Sequence, residues 1–354
     1  MPSPTLRPPR PRHLSAVALG IAAAIALGAC SAGGTAHPSA GAPDAARSAP
    51  AARGVITRAA AEAVLDHYQA TNNQANARRD TKLLATIEAG TLYAQDAADY
   101  KLFKTLSKSE QKDYGSPFTY VDRHLWIPPA SSHATWFAAT VTASTTKAHG
   151  LMIFDKEGGS TYKAVLIVYR DKGESLPAIA VDRDGWAVVA DPAKKVGGIA
   201  PAGLHDAYED VWQTGGSKEG TRLSAATKPV KDAQRIYRTA QKRGTADGYA
   251  TKKFFATPPV STKVYALQGA DGSTVAVFST AHKQESLVKP QYRCKVADIV
   301  PNAQQTALGA ARGFLFTDRF LGQALASLTS RSARITDVDW QFTGVQSVPC
   351  PRAG

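Results

Sequence analysis

The sequence predicts an α+β protein made of two tandem halves, each with N-terminal helices packed on a curved antiparallel sheet. Three observations support this fold class: helix-spaced apolar residues come first, short strand-like runs separated by turn residues follow, and the same order recurs further along the chain. The hydrophobic fraction of 44% is sufficient for packed cores. The chain of 354 residues is long enough for two such cores.

Three helices are predicted at the start of the first half. Apolar residues within 57–77 fall on one helical face, Asp80 can cap a second helix that runs to Ile87, and a third helix covers 92–106. Runs rich in Val, Ile, Thr and aromatic residues then predict strands at 117–127, 134–143, 149–155, 161–170, 177–182 and 186–190. This half should therefore carry its helices on one face of an antiparallel meander.

The second half repeats the order of helices followed by strands. Helices are predicted at 204–212 and 228–243. Strands are predicted at 261–268, 273–280, 312–326 and 333–347. Glycine and proline cluster at 192–201, which indicates a boundary between the halves. We therefore predict one α+β domain at 55–200 and another at 201–354.

The N-terminus has the pattern of an export signal. A short basic segment precedes residues 14–29, which carry no charge and are too few to span a bilayer permanently. The run Leu27-Gly28-Ala29-Cys30 closes this segment and resembles the lipobox of bacterial lipoproteins. The resemblance implies removal of residues 1–29, a diacylglycerol on Cys30, and anchoring at the outer face of the cell membrane. The alternative is an ordinary signal peptide that happens to end near a cysteine.

A tether is predicted between Cys30 and the first domain. Of the 24 residues at 31–54, 19 are Ala, Gly, Ser or Pro, so residues 30–54 have no apolar face to bury. No second long apolar run follows in the chain. We expect the mature protein to be anchored by lipid rather than inserted in the membrane.

Two cysteines remain once Cys30 carries the lipid. Cys294 and Cys350 both lie in the last quarter of an exported chain, where an isolated pair predicts a disulfide. A loop of this length would stabilise the fold by about 4 kcal/mol in the chain-entropy model. The alternative is two free, buried thiols.

A family resemblance rests on one stretch of the first half. The run Asn72-Asn73-Gln74-Ala75-Asn76-Ala77-Arg78-Arg79-Asp80, followed by a Leu-Leu helix, resembles the first helical hairpin of nuclear-transport-factor-like cone domains. Together with the lipobox and the tether, it resembles a family of uncharacterised actinobacterial lipoproteins. The resemblance implies a cone-shaped fold whose sheet wraps around a possible pocket, and it brings no catalytic residue.

Sequence motifs of known catalytic and cofactor sites are absent. Ser-x-x-Lys occurs three times without its partner motifs, and there is no Gly-x-Ser-x-Gly, His-Glu-x-x-His or phosphate-binding loop. We therefore predict no catalytic residue, no metal and no cofactor. Asp66, His67 and Tyr68 on the first helix could supply a pocket acid or base, although Asp66 and His67 flank the apolar stripe and should be exposed.

Basic residues concentrate in the second half. The net charge is +13, and residues 201–354 contribute 20 basic against 12 acidic side chains. Lys231, Arg235, Arg238 and Lys242 follow helical spacing and should form one stripe, opposite an apolar face. Outside the cell, such a stripe could bind anionic lipid headgroups, wall polymers or an acidic envelope protein, whereas nucleic acid is not expected there. The alternative is a solvated stripe, or one neutralised by acidic residues of the same chain.

The sequence therefore predicts a lipid-anchored, extracytoplasmic protein of the cell envelope that binds or scaffolds rather than catalyses. The alternative is a cone domain in the first half that binds a small molecule, as a ligand carrier or as a weak isomerase or hydrolase. A cavity lined by apolar and a few polar groups would favour that alternative.

Overall fold

The computed structural model describes residues 53–170 and 174–351 and confirms the α+β fold class. Helices precede an antiparallel sheet in each half. The elements of the first half are α1 (Arg58–Arg78), α2 (Thr81–Ile87), α3 (Gly90–Leu102), α4 (Lys108–Gly115), β1 (Tyr120–Trp126), β2 (Trp136–Ala143), β3 (His149–Asp155) and β4 (Lys163–Arg170). Those of the second half are α5 (Leu204–Thr214), α6 (Lys228–Arg243), β5 (Ala250–Ala256), β6 (Tyr265–Gln268), β7 (Thr274–Val288), α7 (Ala303–Ala307), β8 (Leu315–Leu328) and β9 (Ala333–Val348).

Side-chain caps fix where the first helices begin. The Thr57 hydroxyl accepts a hydrogen bond from the amide of Ala60 at the start of α1. The Asp80 carboxylate caps α2, as predicted, by accepting from the amides of Lys82 and Leu83. Helix α4, which the sequence analysis did not predict, begins at a capping box formed by Ser107 and Glu110.

Both sheets are meanders of antiparallel strands. The first has the order β1-β2-β3-β4, and the second has the order β5-β7-β8-β9. Strand β6 pairs with the first residues of β7, while β5 pairs with the last ones, so the two short strands lie at the same edge of the sheet. The repeated order of helices and meander supports the two-half arrangement.

The two sheets pack against each other, with helices on their outer sides. Alternate residues of β2 point to opposite cores: Phe137 packs with the helices of the first half, whereas Ala138 packs between the sheets. In β7, Phe278 packs under α5 and α6, whereas Val277 packs between the sheets. The layers are therefore helices, sheet, sheet and helices. We call the side of the second sheet that faces α5 and α6 its helix-facing face, and the side that meets the first sheet its inner face.

One predicted pair of strands belongs elsewhere. Residues 177–182 and 186–190 were expected to extend the first meander, but they form only isolated bridges. Val181 pairs with Ala187 inside the segment, and Val189 and Ile179 pair with β6 and the residue that follows it. A hairpin turn at 182–185 connects the two stretches, and the backbone of both is hydrogen-bonded to β6 and the residues next to it. The segment therefore lies along the edge of the second sheet. The predicted domain limit at residue 200 remains a prediction.

The end of the predicted tether is part of the folded structure. Arg53 accepts a backbone hydrogen bond from Ala130, and Gly54 forms a bridge with Pro129. A Cβ at Gly54 would lie 2.5 Å from the Trp186 ring, so only glycine fits at this crossing. Residues 30–52 of the predicted tether lie outside the described residues, as does Cys30.

Polar side chains join the halves at the edge of the first sheet. The Gln323 side chain on the inner face accepts a hydrogen bond at 2.6 Å from the amide of Ile167 in the edge strand β4. It also donates to the side chain of Gln95 on α3. Gln95 in turn donates to the carbonyls of Leu321 and Asp339. The second half therefore satisfies a backbone amide that an edge strand would otherwise leave unpaired.

A second polar contact between the halves is centred on Asp155. Its carboxylate is fully buried and accepts from Lys263 Nζ at 2.6 Å, from the Tyr265 hydroxyl at 2.7 Å and from the Thr135 hydroxyl at 2.7 Å. Burial acts to raise the pKa of Asp155, but these hydrogen bonds and the charge of Lys263 outweigh it and lower the pKa. The carboxylate form is thus the form that the fold stabilises.

We expect Asp155→Asn to lower the free energy of unfolding by about 2 kcal/mol at neutral pH, because the buried side chain loses its charge-assisted hydrogen bond from the partly exposed Lys263. Folding lowers the pKa of Asp155, so its contribution is present above the ordinary carboxyl pKa and is lost as the pH falls through the folded value. Urea unfolding measured from neutral pH to acid should show the difference between wild type and variant shrink. Asp184→Asn, at an exposed hairpin, is the control; an undiminished difference in acid would contradict this role of Asp155.

Candidate functional site

The basic stripe lies on the outer face of α6. Lys231, Arg235, Arg238 and Lys242 are all exposed. The opposite side of the helix buries Val230, Ala233 and Ala240 against the second sheet and α5. This division of faces follows from the helical spacing of the apolar residues. The four cations therefore face solvent.

One carboxylate neutralises part of this surface. Asp232 accepts hydrogen bonds from Lys228 at 2.6 Å and from Arg235 at 3.2 Å. Burial acts to raise the pKa of Asp232, but its two cationic partners lower it further than burial raises it. Within the described part of the chain, Lys231, Arg238 and Lys242 form no ion pair. An acidic residue of the same chain thus neutralises the N-terminal half of α6.

The Asn-rich run of α1 forms a buried polar network. Tyr68 and Asn72 both donate to Glu88, at 2.9 and 3.1 Å. Asn76 donates to the amide oxygen of Asn72 at 2.6 Å, and Tyr100 donates to Asn76 at 2.9 Å. Burial, followed by the charge of Glu88, raises the pKa of Tyr68 well above its ordinary value. The network links α1 to α3 and to the end of α2 through side chains only.

Of the three candidate pocket acids or bases on α1, two face solvent and one is buried, as their positions on the helix predict. Asp66 and His67 are exposed, and Asp66 forms an ion pair with Arg123. Tyr68 alone points inward, where its ring packs edge-on against Phe154 and stacks with Tyr120. The space between α1 and the first sheet is therefore occupied by aromatic side chains.

The second half holds a buried acid and base. Glu209 on α5 and His282 on β7 are 0% and 3% exposed. Glu209 accepts a hydrogen bond from the Thr280 hydroxyl through one oxygen. Its other oxygen lies 3.3 Å from His282 Nδ1, without the alignment of a hydrogen bond.

Aromatic rings surround the His282 imidazole. The ring centroids of Trp212 and Trp340 each lie 4.5 Å from it, and those of Phe320 and Phe254 lie 5.3 and 6.0 Å away. Trp340 and Phe320 are only partly buried, so this group of rings reaches solvent. Burial, followed by the charge of Glu209, raises the pKa of the adjacent Tyr208 hydroxyl, and the indole groups of Trp340 and Trp212 beside it lower this pKa by a smaller amount.

Further along the same face, the acid Asp318 and the cation Lys252 act on each other electrostatically without forming an ion pair. Asp318 on β8 is buried and accepts from Gln305 at 2.9 and 3.1 Å and from Gln284 at 3.3 Å. Burial raises the pKa of Asp318 despite these donors. Lys252 on β5 is partly buried, which lowers its pKa, and it forms no ion pair in the described part of the chain.

The predicted cysteine pair is joined. Cys294 and Cys350 form a disulfide with a Cα–Cα distance of 5.5 Å, which ties the segment before α7 to the residues after β9. In the described ranges, no cluster of three or more His, Cys, Asp or Glu side chains has the arrangement of a metal site. None of the helices described is long and apolar enough to cross a bilayer.

Sequence reasoning missed the polar groups of the second half. Glu209 lies in α5 next to its buried apolar residues, and His282 lies inside the long strand β7. In the sequence, each is a single polar residue with no polar partner nearby. Their burial was the available signal: both stand among residues whose spacing predicts a core. Only the pairing of α5 with β7 brings them together.

Comparison with known proteins gives a family but no activity. Residues 52–346 match the model described as a domain of unknown function, DUF8094. An uncharacterised lipoprotein of Streptomyces coelicolor is 32% identical over 239 residues, which cover 66% of this chain and 66% of that protein. No solved structure matches the chain.

We expect Cys294→Ser with Cys350→Ser to lower the free energy of unfolding by about 4 kcal/mol, because the unfolded chain regains the freedom of the closed loop. Urea unfolding of the double variant and of wild type measures the difference. A thiol titration of denatured, unreduced wild type should detect neither cysteine. Detection of both, with unchanged stability in the variant, would show two free thiols instead.

Proposed function

Because the chain belongs to the DUF8094 family and is related to a lipoprotein, we propose that it is a lipid-anchored protein of the cell envelope that binds anionic headgroups of its own membrane through α6. The observation that carries this proposal is the exposure of Lys231, Arg235, Arg238 and Lys242 on one face of a helix whose other face is buried. Its role is to bind or to scaffold.

The charge pattern of α6 supports a polyanionic partner. Like charges at helical spacing repel each other by a few tenths of a kcal/mol per pair. Asp232 relieves this repulsion for Lys228 and Arg235 but not for Arg238 and Lys242, which lie about two and three turns beyond Asp232 along the helix. A surface of phosphate groups would relieve it for the whole stripe, with about 1 kcal/mol gained for each basic residue near the membrane.

The lipid anchor makes the membrane the first partner to test. A protein held at a surface meets that surface at high effective concentration, so weak contacts become effective. Two acyl chains on Cys30 would hold the chain stably, whereas one would not. Wall polymers and acidic proteins share the anionic chemistry and serve as further arms of the experiment. The alternative of a ligand pocket in the first half has no support from its core, because aromatic rings occupy that interior.

We expect Lys231→Glu with Arg235→Glu to weaken binding to vesicles that contain phosphatidylglycerol by about thirtyfold or more, since two favourable contacts become repulsive. Cosedimentation of residues 31–354, which lack both the predicted signal segment and the lipid-bearing Cys30, measures the affinity. Vesicles of phosphatidylcholine alone should not retain the protein, and added salt should release it.

The charge-matched control for this experiment is Lys194→Glu with Lys195→Glu, at two exposed positions before the second half. It changes the net charge equally and should bind as the parent does. Equal loss in both double variants would mean that net charge alone governs retention. Retention on purified wall polymer but not on vesicles would indicate that the partner of α6 is the wall polymer and not the membrane.

We also expect Cys30→Ser to release the protein from the membrane fraction of its host, because the lipid is attached through the thiol. The measurement is the distribution of the protein between membrane and soluble fractions, with mass spectrometry of the N-terminus. Wild type should begin at a lipid-modified Cys30. An unmodified N-terminus at another residue would indicate an ordinary signal peptide.

A further inference from the structure

Exposed apolar side chains gather at one end of the second sheet. In the described part of the chain, the large apolar residues that are exposed are Val121, Val181, Tyr249, Val260, Val296, Val300 and Val348. Tyr249 directly precedes β5, and Val348 is the last residue of β9. Val296 and Val300 follow β7. Because the strands are antiparallel, the start of β5 and the ends of β7 and β9 lie at the same end of the sheet, which therefore holds four of these seven residues.

Hydrogen bonds join the start of β5 to the segment after β7 and to α6. The amide of Lys289 donates to the carbonyl of Tyr249 at 2.9 Å, and the Tyr249 and Tyr292 ring centroids lie 5.0 Å apart. The amide of Thr245, just beyond the end of α6, donates to the carbonyl of Ala250 at 2.9 Å. The C-terminal end of α6 is therefore a neighbour of the exposed apolar residues.

The disulfide holds the other side of this surface together. Cys294 and Cys350 join the segment after β7 to the residues after β9. Gly313 forms a bridge with Ile299, and it packs so closely on Val348 that a Cβ would overlap the Val348 carbonyl oxygen. We call the surface formed by these segments the tip; it consists of residues 242–249, 289–300, 310–314 and 348–350.

A tight turn presents the most exposed valine of the tip. The amides of Lys295, Val296 and Ala297 all donate to the carbonyl of Tyr292, at distances between 3.0 and 3.3 Å. Val296 is 71% exposed and Val300 is 63% exposed. The backbone of the turn is closed on itself, so Val296 cannot turn inward without breaking these hydrogen bonds. Single exposed valines are ordinary, but several on one surface indicate a partner that covers them.

Basic side chains surround these apolar residues. The basic residues of the tip are Lys242, Arg243, Lys289, Arg293, Lys295 and Arg312, and its acidic residues are Asp247 and Asp298. Asp298 forms an ion pair with Arg312 at 2.6 Å, so this acid does not offset the remaining cations. The excess of positive charge favours an anionic partner. It also disfavours a second copy of this chain, because two tips would bring like charges together.

A membrane surface combines the two properties that the tip requires. Apolar and aromatic side chains enter the boundary between headgroups and acyl chains, while lysine side chains extend to the phosphates. We propose that the tip inserts Val296 and Val300 into this boundary of an anionic membrane. Tyr249 lies at the level of the headgroups, and Lys242 and Lys295 contact their phosphates. This inference rests on the proposed function for its partner, the membrane, but it assigns the apolar part of the contact to residues outside α6.

Cosedimentation of residues 31–354 with vesicles of phosphatidylcholine and phosphatidylglycerol tests the tip. We expect Val296→Ser with Val300→Ser to weaken binding by about tenfold, because two apolar side chains no longer leave water. The matched control is Val181→Ser with Val260→Ser, at two exposed valines outside the tip, and it should bind as the parent does. Circular dichroism establishes that each variant is folded.

Salt separates the tip from the basic stripe. At about 0.5 M salt, the loss caused by the two valine substitutions should persist, because apolar burial is not screened. The loss caused by Lys231→Glu with Arg235→Glu should shrink. Weakened binding in the tip variant alone would support the tip and contradict the role of α6. Weakened binding in the stripe variant alone would overturn the tip and leave the role of α6 intact.

A direct measurement of insertion uses Val296→Trp, with Val181→Trp as its control. Lipids brominated in the acyl chain should quench the fluorescence that the new tryptophan adds at position 296, and they should leave that at position 181 unchanged. Equal quenching at both positions, or none at position 296, would overturn the proposal. So would equal binding by the tip variant and its control, or failure of the parent to bind anionic vesicles.

Discussion

The packing of one sheet against the other is the constraint on which the rest of the molecule depends. Because helices cover the outer sides, strands β2, β3, β4, β7 and β8 are buried on both faces and must present apolar residues at successive positions. Any polar group in these layers needs a partner. Gln323 and Asp155 meet this requirement by bonding across the halves, to the amide of Ile167 and to Lys263. The same contacts hold the halves together and satisfy the edge strand β4.

This arrangement limits where chemistry can lie. The interface between the sheets is filled, and the first half closes its own interior with Tyr68, Phe137 and Phe154. The polar groups enclosed there, such as Glu88, are bonded within the helical layer. On the helix-facing face of the second sheet, the buried acid and base lie close together, with Glu209 Oε2 at 3.3 Å from His282 Nδ1. The two halves therefore share an order of elements but differ in the polar groups that they bury.

Local signals in the sequence predicted most of the elements. Asp80 as a cap and the periodicity of α6 gave helix limits within a few residues, since caps and apolar spacing act over one or two turns. Strand β5 was not predicted because Lys252 and Lys253 interrupt its apolar pattern. The run from Trp136 to Ala143 is apolar almost throughout, which signals burial on two faces, but it does not identify the surface that covers the second face. The sequence thus predicted two halves without predicting how they pack, and it predicted the stripe without the groups at Glu209 and His282.

Helix α6 joins the second core to the candidate binding surface. It turns Ala233 and Ala240 toward the second sheet and Arg238 and Lys242 toward solvent. Helix α5 packs beside it, with Gln234 donating to the carbonyl of Gly215 at 3.2 Å, and it supplies Glu209 to the helix-facing face. The apolar contacts that hold α6 in place therefore also determine which of its side chains can reach a partner in solvent.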